Sequence, residues 1–407
     1  MMRVLVAIAV LLGTTALAQD AGIEDAGAPE PSWLDLLDVA AGEPVTKPAV
    51  APAPNIFLRA FQSLNPDISV ILDGVAGYSQ RAPLRRSGDD PDLKGDATTE
   101  SAGFNMQEVE FGFQGAVDPY FRADVFLTIP NLSGLEVEEA FVTTSSLPVD
   151  LQVKAGIFRS ALGRQNGQHL HAQSFTRRPL LNASYLAADG LRAPGLQVSW
   201  LAPLPFFLQL NLEALSAPPP DDLSQPNTFG GGKRSDFTYT AELKTFAPIS
   251  DSLSVYGGLN FATGLSPGLT SNPELEGARS SLYGADLYVK FKPANERLGF
   301  FNIAWTTEYF ARSLGRFFDA GLYSQVVVQF ARNWSVGVRE DVLGLPASEI
   351  QPLTSKTSLI LTFTVTEFAR IRAHLEREFR HSLSVRDSTG AYLLLEISIG
   401  AHGAHAF

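Results

Sequence analysis

The amino-acid sequence predicts an all-β chain: a transmembrane antiparallel β-barrel of about sixteen strands behind a signal peptide and a disordered, acidic, Pro-rich leader. Three observations carry this reading. Polar and apolar residues alternate in short segments that recur from Ile68 to the end of the chain. The links between those segments are short and long in turn. After the first eighteen residues, no uninterrupted apolar run reaches the length of roughly 18 residues that a membrane-spanning helix needs.

Residues 1–18 have the three-part order of a secretory signal peptide. Arg3 lies in a short basic start, 4–12 is an apolar run, and Ala16, Leu17 and Ala18 form a small-x-small cleavage site. The run is too short to cross a bilayer as a helix. Residues 19–64 read as a disordered periplasmic leader. Pro and Ala dominate them, and Gln19 to Asn55 carries seven acids against Lys47. Such a stretch buries too little apolar surface to offset its ordering entropy. Trp33, Leu34, Leu36 and Leu37 offer at most a short docking helix. The barrel occupies 65–407.

Composition agrees with that division. The chain is 45% hydrophobic and only 18% charged, with 27 Phe, as expected where apolar and polar residues alternate along every strand. It has no Cys, which suits a wall closed by backbone hydrogen bonds. A net charge of −12 argues against nucleic acid as a partner.

The strands are read at 68–78, 103–115, 120–129, 135–144, 149–158, 196–201, 206–215, 236–246, 253–262, 281–291, 298–310, 321–330, 334–342, 357–365, 368–380 and 391–399. Side chains of a strand point alternately to its two faces. Phe121, Ala123, Val125, Leu127 and Ile129 thus oppose Arg122, Asp124 and Thr128. Leu151, Val153, Ala155 and Ile157 oppose Asp150, Gln152 and Lys154, and Tyr283, Ala285, Leu287, Val289 and Phe291 oppose Asp286, Tyr288 and Lys290. In a barrel the apolar set meets lipid and the polar set lines the lumen. Turns rich in Pro, Asp and Asn follow the even strands, as at 116–119, 145–148, 202–205, 248–251 and 293–297. Longer links follow odd strands, at 79–102, 159–195, 216–235, 263–280 and 344–356. This is the asymmetry of short periplasmic turns and longer external loops. Phe407 falls on the face of Leu393, Leu395, Ile397 and Ile399, similar to the terminal tag that the barrel-assembly machinery reads.

Charge singles out two stretches. The 159–195 loop holds Arg159, Arg164, His169, His171, Arg177, Arg178 and Arg192, with Asp189 as its only acid and no Lys. Folded inward, it would narrow the lumen and present guanidinium groups to anions, whose paired oxygens match the planar donors of Arg. Left outside, the same arginines would bind lipopolysaccharide phosphates or stay solvated. In 368–380, Arg370, Arg372, His374, Glu376, Glu378 and Arg380 share one face opposite Ala369, Ile371, Ala373 and Leu375. Charges this dense must line water. They serve either as stepping sites for anions, Arg370 and Arg372 first, or as braces of the wall. Lys154, Lys290 and Arg339 are further lumen candidates.

Other polar clusters are weaker. Asp89, Asp90, Asp92 and Asp96 lack the Gly and final Glu of a calcium loop, and His402 and His405 read as a frayed end. His381 and Ser382 have no accompanying nucleophile motif. No metal, cofactor or catalytic constellation is expected, and the chain does not read as an enzyme.

Ala155, Gly156, Ile157, Phe158 and Arg159, followed by Gly163, Arg164, Asn166, His169 and His171 and then Gly195, Val198 and Ser199, resemble the phosphate-selective porin O and P family. The opening Asn65, Pro66, Asp67, Ile68, Ser69 and Val70 is also similar to members of that group. The resemblance implies a sixteen-stranded, homotrimeric outer-membrane barrel with an arginine-lined, inward-folded third loop for anion diffusion. The absence of Lys from the loop departs from the family's phosphate-selecting members, so anion preference carries over better than phosphate specificity.

The expected function is passive diffusion of small anionic solutes, phosphate-like or carboxylate, across the outer membrane of a Gram-negative bacterium. Outer-membrane lipid and lipopolysaccharide would surround the chain. The alternative is a plugged or structural barrel that binds a periplasmic partner or lipopolysaccharide. An actively driven receptor would need a plug domain and roughly 22 strands, more than this chain holds. Because the leader contributes no amphipathic strand, deleting residues 19–54 should leave heat-modifiable gel mobility unchanged; loss of that mobility would assign the leader a part in the wall.

Overall fold

The computed structural model describes residues 66–80, 101–132, 134–187, 189–217, 228–231, 233, 235–269, 272–294, 300–381 and 387–400. The signal peptide, the leader, Asp89 to Asp96, Ser382, His402, His405 and Phe407 lie outside them.

Sixteen antiparallel strands form one closed barrel. They are β1 (Asp67–Ser79), β2 (Ser101–Ala116), β3 (Phe121–Pro130), β4 (Glu136–Thr144), β5 (Leu151–Arg159), β6 (Arg192–Leu201), β7 (Phe207–Leu215), β8 (Thr238–Ser250), β9 (Leu253–Leu269), β10 (Asn272–Phe291), β11 (Asn302–Leu314), β12 (Phe317–Ala331), β13 (Trp334–Leu343), β14 (Thr354–Thr366), β15 (Ala369–Arg380) and β16 (Ser388–Gly400). Each pairs with its neighbours in sequence, and β1 closes on β16 with Ser69 opposite Gly400 and Ser79 opposite Gly390.

Register keeps the two faces separate around the wall. On the outside, Val336, Leu361, Ala373, Leu393 and Ala76 stand opposite one another across five successive strands. On the inside, Arg339, Ser358, Glu376, Gly390 and Ser79 do the same. A slip of one residue would exchange these rows, placing Glu376 in lipid.

The distribution of polarity is the reverse of a soluble domain's. Leu259 is 62% exposed, Leu375 56% and Leu359 50%, whereas Arg178, Arg312, Arg339 and Arg372 are among the largest fully buried side chains. Only a protein whose outer solvent is hydrocarbon can arrange its residues this way, since charged groups are ordinarily among the last to be fully buried. Among the described residues no helix is long and apolar enough to cross a membrane.

Several boundaries depart from the sequence expectation: the strands read at 298–310 and 321–330 are Asn302–Leu314 and Phe317–Ala331, joined at Leu314 opposite Phe317, and two longer links also change. The 263–280 link is largely strand: Thr263 pairs with Ser281, Leu265 with Arg279 and Leu269 with Asn272, so β9 and β10 continue as a hairpin. Its Gly and Pro residues signal a loop, but register shifts beside Glu276 absorb Pro267, and Leu269 and Leu275 pack with Leu314 and Ile350. The 159–195 link is shorter than expected, because Arg192 already pairs with Arg159 in the β5·β6 ladder.

Val125, Leu287 and Val289 stand on the outer face, alternating with inward Asp124, Asp286, Tyr288 and Lys290. Arg at any of them near the bilayer midplane should disfavour insertion by about 2–4 kcal/mol, read as a loss of heat-modifiable barrel in lipid-folding titrations. Unchanged folding with Arg at all three would show that this face does not meet lipid.

Candidate functional site

The interior is organised by residues 160–191, the connection from β5 to β6, which crosses the barrel and touches most of its circumference. Asn166 staples the two ends of the loop. Its amide donates to the carbonyls of Ser160 (2.7 Å) and Leu191 (3.0 Å), and its oxygen accepts from the Leu191 N–H (2.7 Å). Gly190 makes the return turn at φ +79°, where a Cβ would stand 2.4 Å from the Asn166 oxygen. Glycine suits this position twice over, by conformation and by space.

Between those ends, wall side chains satisfy the loop backbone one after another. Glu213 of β7 accepts from the Ser160 hydroxyl and from the Ala161 N–H (2.8 Å). Asn260 of β9 accepts from the Gly163 N–H (2.8 Å), and Glu308 of β11 accepts from the Gln165 N–H (2.7 Å) and the Asn182 amide (3.0 Å). Asp341 of β13 accepts from the Leu180 N–H (2.9 Å), where a short helix, α1 (Leu180–Tyr185), begins. Arg339 donates to the Arg177 carbonyl (2.9 Å), Arg372 to the Gln173 carbonyl (3.1 Å) and Arg370 to the His171 carbonyl. A buried peptide group without a partner costs about 1–3 kcal/mol, so these contacts are what permit an irregular segment inside the wall.

Apolar contacts complete the docking. Leu162, Leu180, Leu181, Tyr185, Leu186 and Leu191 of the loop pack against Phe158, Leu215, Ala262, Leu282, Phe310, Tyr323 and Leu343 of the wall. Because the loop's alternative environment is water, the ordinary hydrophobic effect acts here, at roughly 1.5–3 kcal/mol for each large side chain fully buried.

The cationic residues singled out in the sequence come together in this loop and on β15, and nearly all meet carboxylates. Arg159 pairs with Glu138 and with Asp189 (3.1 Å), and Arg178 approaches Asp189 at 3.5 Å. Arg177 stands 3.7 Å from Glu376, its guanidinium over the Tyr392 ring. Arg370 and Arg372 share Glu396 at 2.8 and 2.9 Å. His169 lies between Glu110 (Nδ1, 2.9 Å) and Glu139 (Nε2, 2.6 Å), while Nδ1 of His171 is 3.4 Å from Glu110. Burial alone would lower the pKa of His169, but the charges of Glu110 and Glu138 and the hydrogen bonds to Glu110 and Glu139 outweigh it and raise the pKa well above its ordinary value.

Arg164 differs. It is only partly buried, has no carboxylate within salt-bridge distance among the described residues, and lies with its guanidinium 3.9 Å above the Tyr288 ring and 5.5 Å from that of Tyr256. The stack holds the group in place without cancelling its charge. Lys154, Lys290 and Arg339 also point inward, Lys154 over the Phe141 ring (4.6 Å) and Arg339 bound to Asp341 (2.9 Å).

The residues that sequence reasoning missed are the partners: Glu110, Glu138, Glu139, Glu213, Glu308, Asp341 and Glu396. A signal existed, because a carboxylate inside a barrel strand has nowhere to point but the lumen. Which arginine each would meet, however, depends on the path of the loop.

No family model matches the chain. An uncharacterized protein of Aquifex aeolicus (strain VF5) is 31% identical over 387 residues, a match covering 84% of this chain and 80% of that one. Among solved structures, the outer membrane channel DcaP of Acinetobacter baumannii has a TM-score of 0.55 at 11% identity, covering 82% of this chain and 97% of DcaP. The anion-selective porin from Comamonas acidovorans has a TM-score of 0.54 at 10% identity, covering 82% and 99%. At such identities the likeness is one of fold.

Asp341 holds both α1 and Arg339 while fully buried. Asp341→Ala leaves a buried guanidinium and a backbone N–H unpaired, so barrel stability should fall by about 3–5 kcal/mol, seen as earlier loss of the folded gel band on heating. The loop should also become cleavable by added protease. Full resistance of the variant would show that the docking does not depend on this contact.

Proposed function

For this chain, which belongs to the family of the Aquifex aeolicus protein and has the sixteen-stranded fold of outer-membrane porins, we propose a passive outer-membrane channel for small solutes, with its bore set by residues 160–191. The observation that carries this reading is a loop pinned by hydrogen bonds to β7, β9, β11, β13 and β15, inside a wall whose outer face is apolar. A segment fixed on so many sides narrows the lumen permanently and selects by size and charge rather than by a moving gate.

We assign anion preference, which the resemblance to the phosphate-selective porins O and P also implies, to Arg164 more than to the other arginines. A guanidinium that shares a buried carboxylate offers little net charge to a passing ion, and its donors are engaged. Arg159, Arg177, Arg178, Arg370 and Arg372 therefore brace the constriction, and Arg164 faces the solute. The apolar packing of Leu162, Leu181, Tyr185 and Leu186 inside the barrel favours a second reading, a barrel sealed by its own loop.

Planar-bilayer recording in a salt gradient separates these readings. The channel reading expects stable steps of conductance, with Arg164→Gln moving the zero-current potential toward cation preference at unchanged barrel mobility. An unmoved potential would remove Arg164 from selectivity. Silence of the well-folded wild type would establish the sealed barrel.

A further inference from the structure

Where the loop meets β2, three side chains converge in a way that bracing does not require. Glu110 of β2 is 1% exposed, His169 1% and His171 6%, and one donor atom from each lies within 4.8 Å of the others. One oxygen of Glu110, Oε2, stands 2.9 Å from Nδ1 of His169 and 3.4 Å from Nδ1 of His171. Its other oxygen, Oε1, is buried with no hydrogen-bond partner. Glu110 and His171 border a small cavity whose lining also includes Glu108 and Asp73, and Oδ1 of Asp73 is likewise buried and unsatisfied. Glu138 brings a third carboxylate within 4.8 Å of Glu108 and Glu110. The cluster thus combines two imidazoles, several buried carboxylates and enclosed space.

We propose that Glu110, His169 and His171 bind a divalent transition-metal ion of the zinc class inside the barrel, through Nδ1 of each histidine and the Glu110 carboxylate. Zinc bonds to histidine nitrogen and carboxylate oxygen are about 2.0–2.2 Å long, and a tetrahedral angle then sets neighbouring donors roughly 3.3 Å apart. The 2.9 and 3.4 Å separations bracket that spacing. The ion takes the position of the proton now shared by His169 and Glu110, and that proton leaves to solvent. Nε2 of His169 keeps its 2.6 Å bond to Glu139, the carboxylate–histidine–metal relay that orients and strengthens such ligands. The cavity beside Asp73 and Glu108 accommodates water as the fourth ligand. Two imidazoles with carboxylate oxygen suit zinc, copper or nickel better than magnesium or calcium, which take all-oxygen shells. An ion here clips the inward loop to β2, on the side of the lumen away from Glu308 and Asp341.

The test uses full-length, untagged barrel in detergent, stripped with EDTA and titrated with Zn²⁺ by calorimetry and with Co²⁺ by visible absorption. One ion per chain is expected, with the intense d–d bands of tetrahedral Co²⁺ abolished by added Zn²⁺. His171→Ala should weaken binding at least about tenfold, and Glu139→Gln by roughly 10–100-fold. The double variant His402→Ala/His405→Ala should bind like wild type. The proposal is overturned if wild type does not bind, if His171→Ala keeps full affinity, or if the double variant abolishes binding. Should His171→Ala not assemble, the wild-type Co²⁺ spectrum decides: octahedral or absent bands reject the site. Conductance plays no part in these readings, so channel activity and metal binding stand or fall separately.

Discussion

Because β1 pairs with β16 over eleven residue positions, every strand has a hydrogen-bonded neighbour on both sides and the wall has no edge. In hydrocarbon there is no water to satisfy a free N–H or C=O, so closure is the condition for a sheet to cross a membrane at all. Closure also imposes the two-faced pattern. Each strand must offer apolar side chains outward and can afford polar ones inward, which is how Arg312, Arg339 and Glu376 come to be more buried than Leu259 or Leu375.

A closed wall of sixteen strands encloses more space than its own short inward side chains fill. Here residues 160–191 occupy much of it. The loop carries cations and the wall carries the carboxylates that meet them, so each compensates the other's desolvation. Loop and wall depend on each other where Arg177 meets Glu376 and where His169 meets Glu110 and Glu139, since each of these groups is removed from water and needs its partner across that contact. The same contacts set how the loop divides the lumen. Arg177, Arg178, Arg370 and Arg372 meet carboxylates, whereas Arg164, on its tyrosine stack, has none within salt-bridge distance among the described residues.

On the β2 side the compensation takes a different form. Glu108, Glu110, Glu138, Glu139 and Asp73 gather there around two histidines and Arg159, with Arg370 and Arg372 acting on Asp73. A protonated imidazole or a metal ion meets these carboxylates equally well on electrostatic grounds, and the donor geometry distinguishes them.

Period-two alternation determined the fold from sequence alone. One face of each strand had to meet lipid, so Val125, Leu287 and Leu393 were legible as outward and Asp124, Lys290 and Arg372 as inward, with sixteen segments in the right order. The 263–280 hairpin was not legible, because its Gly and Pro residues give a turn signal that long-range pairing overrides. The cationic loop was legible as a loop and as a cluster of charge. Its partners were not: Glu110, Glu213, Glu308 and Asp341 lie between 52 and 161 residues away from the loop groups they hold. Alternation tells which face a residue occupies, a property of neighbours in the chain. Which residues share the interior depends on closure, which brings strands far apart in sequence around a single lumen, and only the tertiary structure decides that.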